Sequence, residues 1–410
     1  MTRNVVVTGI GMTTPIGGDA PSTWAAALAG TPGTIRLGPD WAADQPAQIA
    51  AMMKVDPAEV LKPVEVRRMD RSEQCALIAS REAWADAGAP DVDPIRLGVV
   101  VASGIGGINS LIQAYETLRD KGAARVSPHM VTMIMPNGPA AMVGIEVGAR
   151  AGVHTPVSAC ASGAEAVSYA AKMIEDGRAD IVVAGGTEAC MNGVTMAGFA
   201  AMRALSTRND DPATASRAYD VDRDGFVMGE GAGILILEEE DHARARGAKI
   251  YGRYGGSGLT SDGHHIAQPD PEGAGAARAI TMALADADLS PADIIHINAH
   301  ATSTPQGDYA ESVALRRALG GQADHAWVSG TKSMTGHLLG GAGAVESIFA
   351  ILALRDRIAP PSINIFNFDT SIDLQVTKDG PVQLPAGDIA ALNNSFGFGG
   401  HDVALVFKSV

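Results

Sequence analysis

The chain has 410 residues, of which 46% are hydrophobic and 19% charged, and its formal net charge at pH 7 is −15. This length is enough to bury a large core in two domains or two fused halves, and the acidic balance argues against nucleic acid as a partner. No apolar run approaches the ~18 residues that span a bilayer, and no charged segment followed by an apolar one opens the chain, so we expect a cytoplasmic protein without a membrane segment.

The predicted elements of the first half are buried strands that alternate with helices. Residues 4–8 and 97–102 are continuously apolar, as in strands covered on both faces, and glycines are expected to end the first of them. A helix is predicted from Ala164 to Gly177, because apolar residues recur there at intervals of three and four. Residues 180–185 then form the next strand.

The second half repeats this order. Residues 294–299 form an apolar strand that ends beside His300. Residues 328–332 lead into a glycine-rich helix start, as residues 157–160 do in the first half. The helix that follows has an apolar face, and we expect it to end at Pro360.

This repetition predicts an α/β protein made of two βαβ halves that meet at one central site. The first half covers residues 1–248, with excursions at 31–70 and 103–150, and the second covers residues 249–410. The polar segment 202–224 is predicted to be a long loop. Loops of this length in a compact enzyme are usually binding or interface elements, and a solvated surface excursion is the alternative.

Cys160 closes an apolar stretch and is followed at once by small residues that open a helix. The partial positive charge of a helix start favours an anion and lowers the pKa of a thiol, so this cysteine is a candidate nucleophile for acyl transfer. A buried structural thiol is the alternative, because free cysteine is among the most buried residue types.

Two histidines are candidates to share a site with this cysteine. His300 and His337 each lie among small residues at a predicted strand-to-loop junction, and Lys332 precedes the second by five positions. A lone histidine in such a place is more often structural, but two of them favour a site. Residues 395–400 contain three glycines around Phe398 and predict a tight turn before the last strand, 403–407.

These segments together resemble the elongating β-ketoacyl-acyl carrier protein synthases, most of all the synthase II branch of bacterial fatty acid synthesis. The resemblance rests on residues 157–163, 298–308, 332–346 and 394–400, and it extends to 9–17, 103–107, 203–209 and 222–226. It therefore runs nearly end to end. Membership implies a thiolase-like fold, in which two similar halves stack as five αβαβα layers, and a homodimer.

The resemblance implies a 3-oxoacyl-[acyl-carrier-protein] synthase, which lengthens an acyl chain by two carbons. In such enzymes the thiolate, here Cys160, takes an acyl chain from a carrier-protein thioester, and a malonyl thioester then loses CO₂ and attacks it. Two neutral imidazoles, here His300 and His337, hold the enolate. The backbone N–H groups of Cys160 and Phe398 are expected around the oxyanion of the attacked thioester.

The second histidine narrows the reaction. Initiating synthases are similar but carry asparagine where His337 stands, and thiolases use a second cysteine, so the resemblance implies decarboxylative elongation. Lys332 and Glu346 match a charged pair beside this histidine, for which we expect an orienting and electrostatic role. A buried ion pair that holds two segments in register is the alternative.

Substrate contacts follow from the same resemblance. Thr302 and Thr304 match hydroxyls that bind the phosphopantetheine arm. Ile105 matches the wall of the acyl pocket, although an isoleucine in a glycine-rich turn can equally be plain core. Phe398 matches an aromatic side chain that gates the pocket.

Acyl carrier protein is the implied partner. A basic patch on an acidic protein could steer its association, and a solvated helix face explains most of these charges equally well. The expected contacts are Lys62, Arg67, Arg68, Arg71, Arg125 and Arg203.

Two departures from the family pattern occur close to the site. Ala301 replaces a common glycine, which matters if that position needs a positive φ. His401 and Asp402 replace a common Thr-Asn pair, and His401 either packs structurally or tunes the gate. No metal or other cofactor is implied, because His264 and His265 lack further ligands and the cysteines form no CxxC. The substrates are carried on phosphopantetheine.

Two other functions share much of this pattern. A ketosynthase subunit of a dissociated (type II) polyketide pathway has the same catalytic residues. A non-catalytic chain-length or scaffold subunit resembles a synthase but lacks the cysteine, so Cys160 argues against it. The acyl chain length, and whether another subunit replaces the second copy in the dimer, are left open by the sequence.

Overall fold

The computed structural model describes residues 3–410. Its strands are β1 (Val5–Thr13), β2 (Ile35–Arg36), β3 (Ile49–Ala50), β4 (Leu97–Ala102), β5 (Gly152–His154), β6 (Ile181–Glu188), β7 (Gly231–Glu239), β8 (Gly252–Ser261), β9 (Ile294–Asn298), β10 (Trp327–Ser329), β11 (Ile358–Ala359), β12 (Val382–Gln383), β13 (Ala390–Gly397) and β14 (His401–Lys408). Its α-helices are α1 (Ala20–Leu28), α2 (Pro57–Val60), α3 (Pro63–Arg68), α4 (Arg71–Asp86), α5 (Ile108–Lys121), α6 (Met130–Ile134), α7 (Gly138–Val147), α8 (Ser162–Glu175), α9 (Gly193–Ala201), α10 (Glu240–Ala245), α11 (Ala274–Asp286), α12 (Pro305–Leu319), α13 (Lys332–Thr335) and α14 (Ala342–Asp356).

Ten strands form one sheet in the order β10-β9-β13-β14-β8-β1-β7-β6-β4-β5. In one half, β1 and β7 pair antiparallel, β7 pairs antiparallel with β6, and β6-β4-β5 are parallel. The other half has the same directions for β8, β14, β13, β9 and β10. The antiparallel pairing of β1 with β8 joins the two. The predicted repetition of one βαβ pattern is therefore present in the fold.

The three largest apolar cores lie within an arrangement of five layers. The central core contains Val167 of α8 and Val345 of α14 between residues of both sheet halves, such as Val7 and Leu405. A second core packs α4 and α7 on the outer face of the first half, and a third packs α11 and α12 on the outer face of the second. The α/β, thiolase-like αβαβα arrangement expected from the resemblance is confirmed.

Glycines that were expected to end the first strand lie inside it. β1 continues through Gly9 and Gly11 because α4 crosses it at close range. A Cβ at Gly9 would collide with the carbonyl oxygen of Ala83, and a Cβ at Gly11 would collide with that of Ala79. These glycines therefore permit the close approach of a helix to a strand, where a local reading of the sequence predicts a turn.

The excursions contain short elements of their own. In the first, β2 and β3 pair antiparallel. In the second, α5 has only Ser110 and Ala114 buried, and Leu111 and Tyr115 are exposed. Residues 202–224 form the predicted long loop, and within it Arg217 and Asp220 form a buried ion pair 3.0 Å long.

The helix expected to end at Pro360 ends earlier. α14 stops at Asp356, and Arg357 caps it in the left-handed conformation with φ 59°. The next residues form β11 before the proline pair is reached. Among residues 3–410 no helix is long and apolar enough to cross a membrane.

Candidate active site

The residues predicted to act on substrate converge on a cavity of about 850 Å³. They come from loops of both sheet halves, and Arg203 and residues 265–270 form part of the same lining. The predicted residues that line it are Cys160, His300, Thr302, Thr304, His337 and Phe398.

Cys160 lies in a short 3₁₀ turn, Ala159–Ala161, that runs directly into α8. The hydroxyl of Ser162 accepts a hydrogen bond from the backbone N–H of Ser158 at 2.9 Å and donates to the carbonyl of Ala159 at 2.7 Å. These bonds fix the turn, and the Cys160 side chain is only 8% exposed. The cysteine is therefore at a helix start, as predicted.

The predicted lowering of the thiol pKa is wrong. Burial raises the pKa of Cys160 to about 12, although the positive charge of Lys332 and the backbone N–H groups of Phe398 and Cys160 lower it. Desolvation of the thiolate outweighs these groups, and the extent of burial depends on tertiary packing that a local sequence pattern does not contain. The thiol is therefore protonated at neutral pH.

The two histidines are neighbours in the cavity. His300 follows β9 and His337 follows α13, and their ring centroids are 5.3 Å apart with the planes at 88°. Burial and the charge of Lys332 hold the pKa of both well below the usual value. Each Nδ1 is buried without a hydrogen-bond partner, which leaves Nε2 as the nitrogen available to the cavity. Both imidazoles are neutral at pH 7.

Lys332 and Glu346 form a buried ion pair. The Nζ to Oε1 distance is 2.5 Å, and the side chains are 1% and 2% exposed. Burial raises the pKa of Glu346 to about 7, against the lowering effect of Lys332. The charge of Lys332 also acts on Cys160, His300 and His337, so its ammonium group supplies positive potential to the whole site.

The predicted tight turn connects β13 to β14, with Gly397 paired to His401. Gly399 and Gly400 have φ of 91° and 76°, which glycine adopts without strain. A Cβ at Gly397 would collide with the carbonyl oxygen of Ser158. The turn therefore packs backbone to backbone against the segment that carries the nucleophile.

This packing brings the backbone N–H of Phe398 to the sulfur of Cys160, where it lowers the thiol pKa. The Phe398 ring contacts that of Phe199, with centroids 6.4 Å apart, at the cavity wall. His401 is exposed and is not among the residues that line the cavity.

The sequence pattern does not identify Glu311, which orients the loop of the first histidine. Its Oε1 and Oε2 accept hydrogen bonds from the backbone N–H groups of His300 and Ala301, both at 2.8 Å, and Oε1 accepts a third from Asn394 at 3.0 Å. Ala301 has φ 35°, so the position does adopt the left-handed conformation that favours glycine. The only signal in the sequence is an acidic residue in the helix after His300.

Glu188 is a second buried carboxylate that the sequence does not reveal. It accepts hydrogen bonds from the Ser103 hydroxyl at 2.8 Å, the Gly104 N–H at 2.9 Å and the Gly340 N–H at 3.1 Å. It thereby ties the loop of Ile105 to the loop that follows His337. Its donors lie far away along the chain, and no local pattern marks them.

Ile105 is partly buried and packs with Cys160 in an apolar cluster. This places the residue expected to form the acyl pocket wall in the same cluster as Cys160. The buried members besides Cys160 are Ala47, Cys190, Met196, Leu205, Phe226, Met228 and Leu339.

Thr302 and Thr304 present adjacent hydroxyls to the cavity, 3.0 Å apart. The Thr304 hydroxyl also accepts from the Gly307 N–H at 3.2 Å and so caps α12. The Thr304 hydroxyl can therefore cap the helix, contact a substrate, or do both.

The expected carrier-protein contacts fall into two groups. Exposed positions are Lys62, Arg67 and Arg68 at α3, Arg125 after α5, and Arg203 at the cavity. Arg71 differs, because its guanidinium donates to the fully buried Glu230 at 2.7 and 2.9 Å and pairs with Asp56 at 3.4 Å. Arg71 therefore has a structural role, and its contact with the carrier protein stays a prediction.

Comparison with known proteins gives one consistent family. The family model described as "Beta-ketoacyl synthase, N-terminal domain" matches residues 2–243, and "Beta-ketoacyl synthase, C-terminal domain" matches residues 251–366. A 3-oxoacyl-[acyl-carrier-protein] synthase 2 of Mycobacterium bovis is 47% identical over 406 residues, covering 98% of this chain and 96% of the relative. A protein of the same name from Synechocystis sp. is 44% identical over 409 residues, covering 99% and 98%.

Solved structures that superpose on this chain give the same family. A β-ketoacyl synthase from Burkholderia phymatum STM815 superposes with a TM-score of 0.90 at 36% identity over the full length of both chains. A type II polyketide ketosynthase, solved in complex with its acyl carrier protein and bound to the hexaketide, superposes with a TM-score of 0.92 at 32% identity, also over the full length of both.

Proposed function

Because this chain belongs to the β-ketoacyl synthase family, we propose that it is a 3-oxoacyl-[acyl-carrier-protein] synthase that elongates fatty acyl chains by two carbons. It is an acyltransferase whose reaction is a decarboxylative Claisen condensation. The observation that carries this proposal is the convergence of one cysteine, Cys160, with two neutral histidines in a single cavity.

The first step is acyl transfer to Cys160. The sulfur attacks the carbonyl carbon of an acyl-carrier thioester, and its proton leaves to the departing phosphopantetheine thiolate, so the total charge is unchanged. The backbone N–H groups of Cys160 and Phe398 face the developing oxyanion. A thiol pKa of about 12 means that little thiolate exists before substrate arrives, so deprotonation accompanies the attack.

The second step is condensation with a malonyl thioester. The malonyl C–C bond to the carboxylate breaks, CO₂ leaves, and the electron pair forms an enolate whose oxygen accepts hydrogen bonds from His300 and His337. The enolate carbon attacks the acyl carbonyl, the C–S bond breaks to release the 3-oxoacyl product, and the departing Cys160 thiolate takes up one proton from solvent. Neutral imidazoles suit this role because they donate hydrogen bonds without becoming ion-paired to the malonyl carboxylate.

We assign supporting roles to other residues from their positions at or near the cavity. We assign Lys332 and Glu346 to orienting and electrostatic support of the histidines, on the strength of their buried contact. Thr302 and Thr304 bind the phosphopantetheine arm, Ile105 forms the wall of the acyl pocket, and Phe398 gates it. These steps use no metal or other cofactor, since the acyl groups arrive on phosphopantetheine.

Acyl carrier protein is the proposed partner, delivering both the acyl and the malonyl group. The polyketide neighbour that was solved with its own carrier protein supports this kind of partner. We propose that the exposed basic positions at α3, after α5 and at the cavity, namely Lys62, Arg67, Arg68, Arg125 and Arg203, contact its acidic surface. A cytoplasmic location is part of this proposal.

A homodimer is also proposed. β5 is the last strand of the sheet and leaves one edge unpaired, and the exposed side chains of Ile145, Val153 and Val157 lie on it and beside it. We take residues 1–248 and 249–410 as the two halves of each protomer, which the repeated strand order supports.

A second candidate function is the ketosynthase of a type II polyketide pathway. The superposition on such a ketosynthase at 32% identity supports this alternative function. Condensation rates with carrier proteins of the two pathways separate the candidates, and a series of acyl chain lengths defines the substrate. A third candidate is a non-catalytic subunit, and the experiment in the next paragraph tests it.

The direct test follows acylation of Cys160 by an acyl-carrier thioester with mass spectrometry. The wild type and Cys75→Ala, a control whose thiol is buried away from the cavity, should acylate equally. Cys160→Ala should show no acyl adduct and no condensation. Equal condensation by Cys160→Ala would overturn the enzyme assignment.

The histidine roles have a separate readout. His337→Ala should lose malonyl decarboxylation by about a hundredfold or more, while acylation of Cys160 stays near the wild-type rate. His325→Ala, at an exposed position, is the matched control. Parallel loss of both steps in His337→Ala would point to misfolding and would remove the argument for its role.

A further inference from the structure

Glu188, the last residue of β6, is fully buried and connects two loops. Its Oε1 accepts hydrogen bonds from the Ser103 hydroxyl at 2.8 Å and the Ile105 N–H at 3.4 Å. Its Oε2 accepts from the Gly104 N–H at 2.9 Å and the Gly340 N–H at 3.1 Å. One carboxyl group therefore holds two loops that are far apart in the chain.

Each of these loops carries an apolar side chain of the cluster around Cys160. Ile105 is itself bonded to Glu188 through its N–H and is partly buried in the cluster. Leu339 is buried in the same cluster, lines the cavity, and directly precedes the bonded glycine of the second loop. The hydrogen bonds of Glu188 therefore lie within one residue of both side chains.

The two loops also touch through their backbones. A Cβ at Gly340 would lie 2.3 Å from the nitrogen of Gly104 and 2.9 Å from Oε2 of Glu188. Leu339 has φ 45°, a left-handed conformation that a non-glycine residue keeps only where its surroundings hold it. The bond from the next N–H to Glu188 is part of that hold.

We propose that Glu188 is a positioning residue that sets the spacing between Ile105 and Leu339, and thereby the range of acyl chains that Cys160 accepts. The proposal rests on the proposed function, because it takes Ile105 as the wall of the acyl pocket. Both carboxyl oxygens must accept, since backbone N–H groups can only donate. A carboxylate meets this requirement and an amide does not.

Glu188→Gln is the informative variant, because it keeps the size of the side chain. If the NH₂ group takes the place of Oε1, it faces the Ile105 N–H, and in the place of Oε2 it faces the N–H groups of Gly104 and Gly340. In either orientation a donor meets a donor, and at least one loop loses its acceptor. We expect the pocket wall to give way to longer chains as a result.

The test measures kcat/KM for acyl-carrier thioesters from short to long. It is run at pH 8, where the carboxyl group of Glu188 is ionised although burial raises its pKa to about 7. In Glu188→Gln the ratio of long-chain to short-chain kcat/KM should rise by about tenfold, the lower end of the effect of one methylene group in an apolar pocket. Acylation of Cys160 by the shortest thioester should stay near the wild-type rate.

Ser103→Ala is the second variant. It removes the hydroxyl that donates to Glu188 and accepts from the Gly106 N–H at 2.9 Å, so the same loop is loosened and the ratio should rise again. Glu82→Gln is the matched control, because this carboxylate also accepts from two backbone N–H groups, both at 2.8 Å, but does not line the cavity. Ser80→Ala, which removes a buried hydroxyl without a partner, is the control for the serine.

An unchanged ratio in Glu188→Gln would overturn the proposal, and if that variant does not fold, Ser103→Ala decides in the same way. An equal rise in Glu82→Gln would also overturn it, because the effect would then come from a general loss of stability. A wild type that accepts no acyl group of any length would instead contradict the proposed function, and the role of Glu188 in specificity would fall with it.

Discussion

Ala301 is constrained by the same carboxylate, Glu311, that holds the backbone of His300. Its N–H donates to Glu311, and its φ of 35° lies in the left-handed region. A non-glycine residue there costs on the order of 1 kcal/mol or more. We expect Ala301→Gly to be less destabilising than Ala299→Gly by about 1 kcal/mol or more, since both remove a buried methyl group and only the first relieves the backbone.

Urea unfolding of the two alanine variants measures this difference. The wild-type protein gives the reference for both. Equal losses of stability in the two variants would show that the backbone at Ala301 is not strained.

At the scale of elements, Arg71 links the start of α4 to the segment before β7. Its partner Glu230 is fully buried, so Arg71→Ala leaves a buried charge without its counter-ion and should cost about 3 kcal/mol. Arg119→Ala is the control, because Arg119 pairs with Asp120 at the surface. We expect the control to unfold at the wild-type urea concentration. Comparable unfolding of both variants would contradict the structural role of Arg71.

β9 carries a second buried histidine. His296 is fully buried, its Nε2 lies 3.1 Å from the Ser329 hydroxyl, and burial lowers its pKa to about 3. The folded protein keeps this ring neutral, while the unfolded chain binds a proton below about pH 6.5. The stability associated with His296 is therefore present above that pH and is lost as pH falls.

Between pH 7 and pH 5 the wild type should lose about 2 kcal/mol more than His296→Gln, because one unit of pKa difference is about 1.4 kcal/mol. Urea unfolding of both proteins at the two pH values measures the difference. The comparison cancels the contribution of the buried carboxyl groups, which titrate in both. An unchanged difference would mean that His296 is protonated in the folded protein.

At the scale of the whole molecule, the free edge at β5 is where a second copy is expected. Val153 of β5 is 41% exposed, and Val157 is 51% exposed. We expect the wild type to sediment as a dimer and Val153→Lys to shift towards monomer, because a buried charge at the interface is costly. Ile35→Lys, on the separate β2-β3 hairpin, is the control. A monomeric wild type at micromolar concentration would contradict the dimer.

The fold and the central residues of the site were largely accessible from the sequence, for a physical reason. Cys160, His300 and His337 each occupy a short segment of small residues, and such segments are visible locally. Only His300 follows a strand as predicted, since His337 follows α13 and Cys160 lies in the 3₁₀ turn before α8. Gly9 and Gly11 were misjudged because their reason lies in α4, which is distant in sequence. Glu188 and Glu311 were not predicted because most of their partners are backbone N–H groups, which nearly every residue type supplies.

The same limit explains the error about the Cys160 pKa. A helix start is recognisable from neighbouring residues, and it does carry N–H groups near the sulfur. Burial is the result of the packing of both halves around the cavity, and it has the larger effect. Sequence patterns therefore predict Cys160 as the nucleophile but do not predict the protonation state of its thiol.

The absence of a side chain at Gly397 has a consequence for redesign of the acyl range. Ser158 and the turn touch through their backbones, so even an added methyl group would push the nucleophile away from its N–H donor. We therefore expect a substitution at Gly397 to lower the reaction rate before it alters which acyl chains bind. Mutational libraries aimed at new acyl donors are therefore better placed at Ile105 and Phe199, where side chains of different size meet the cluster around Cys160.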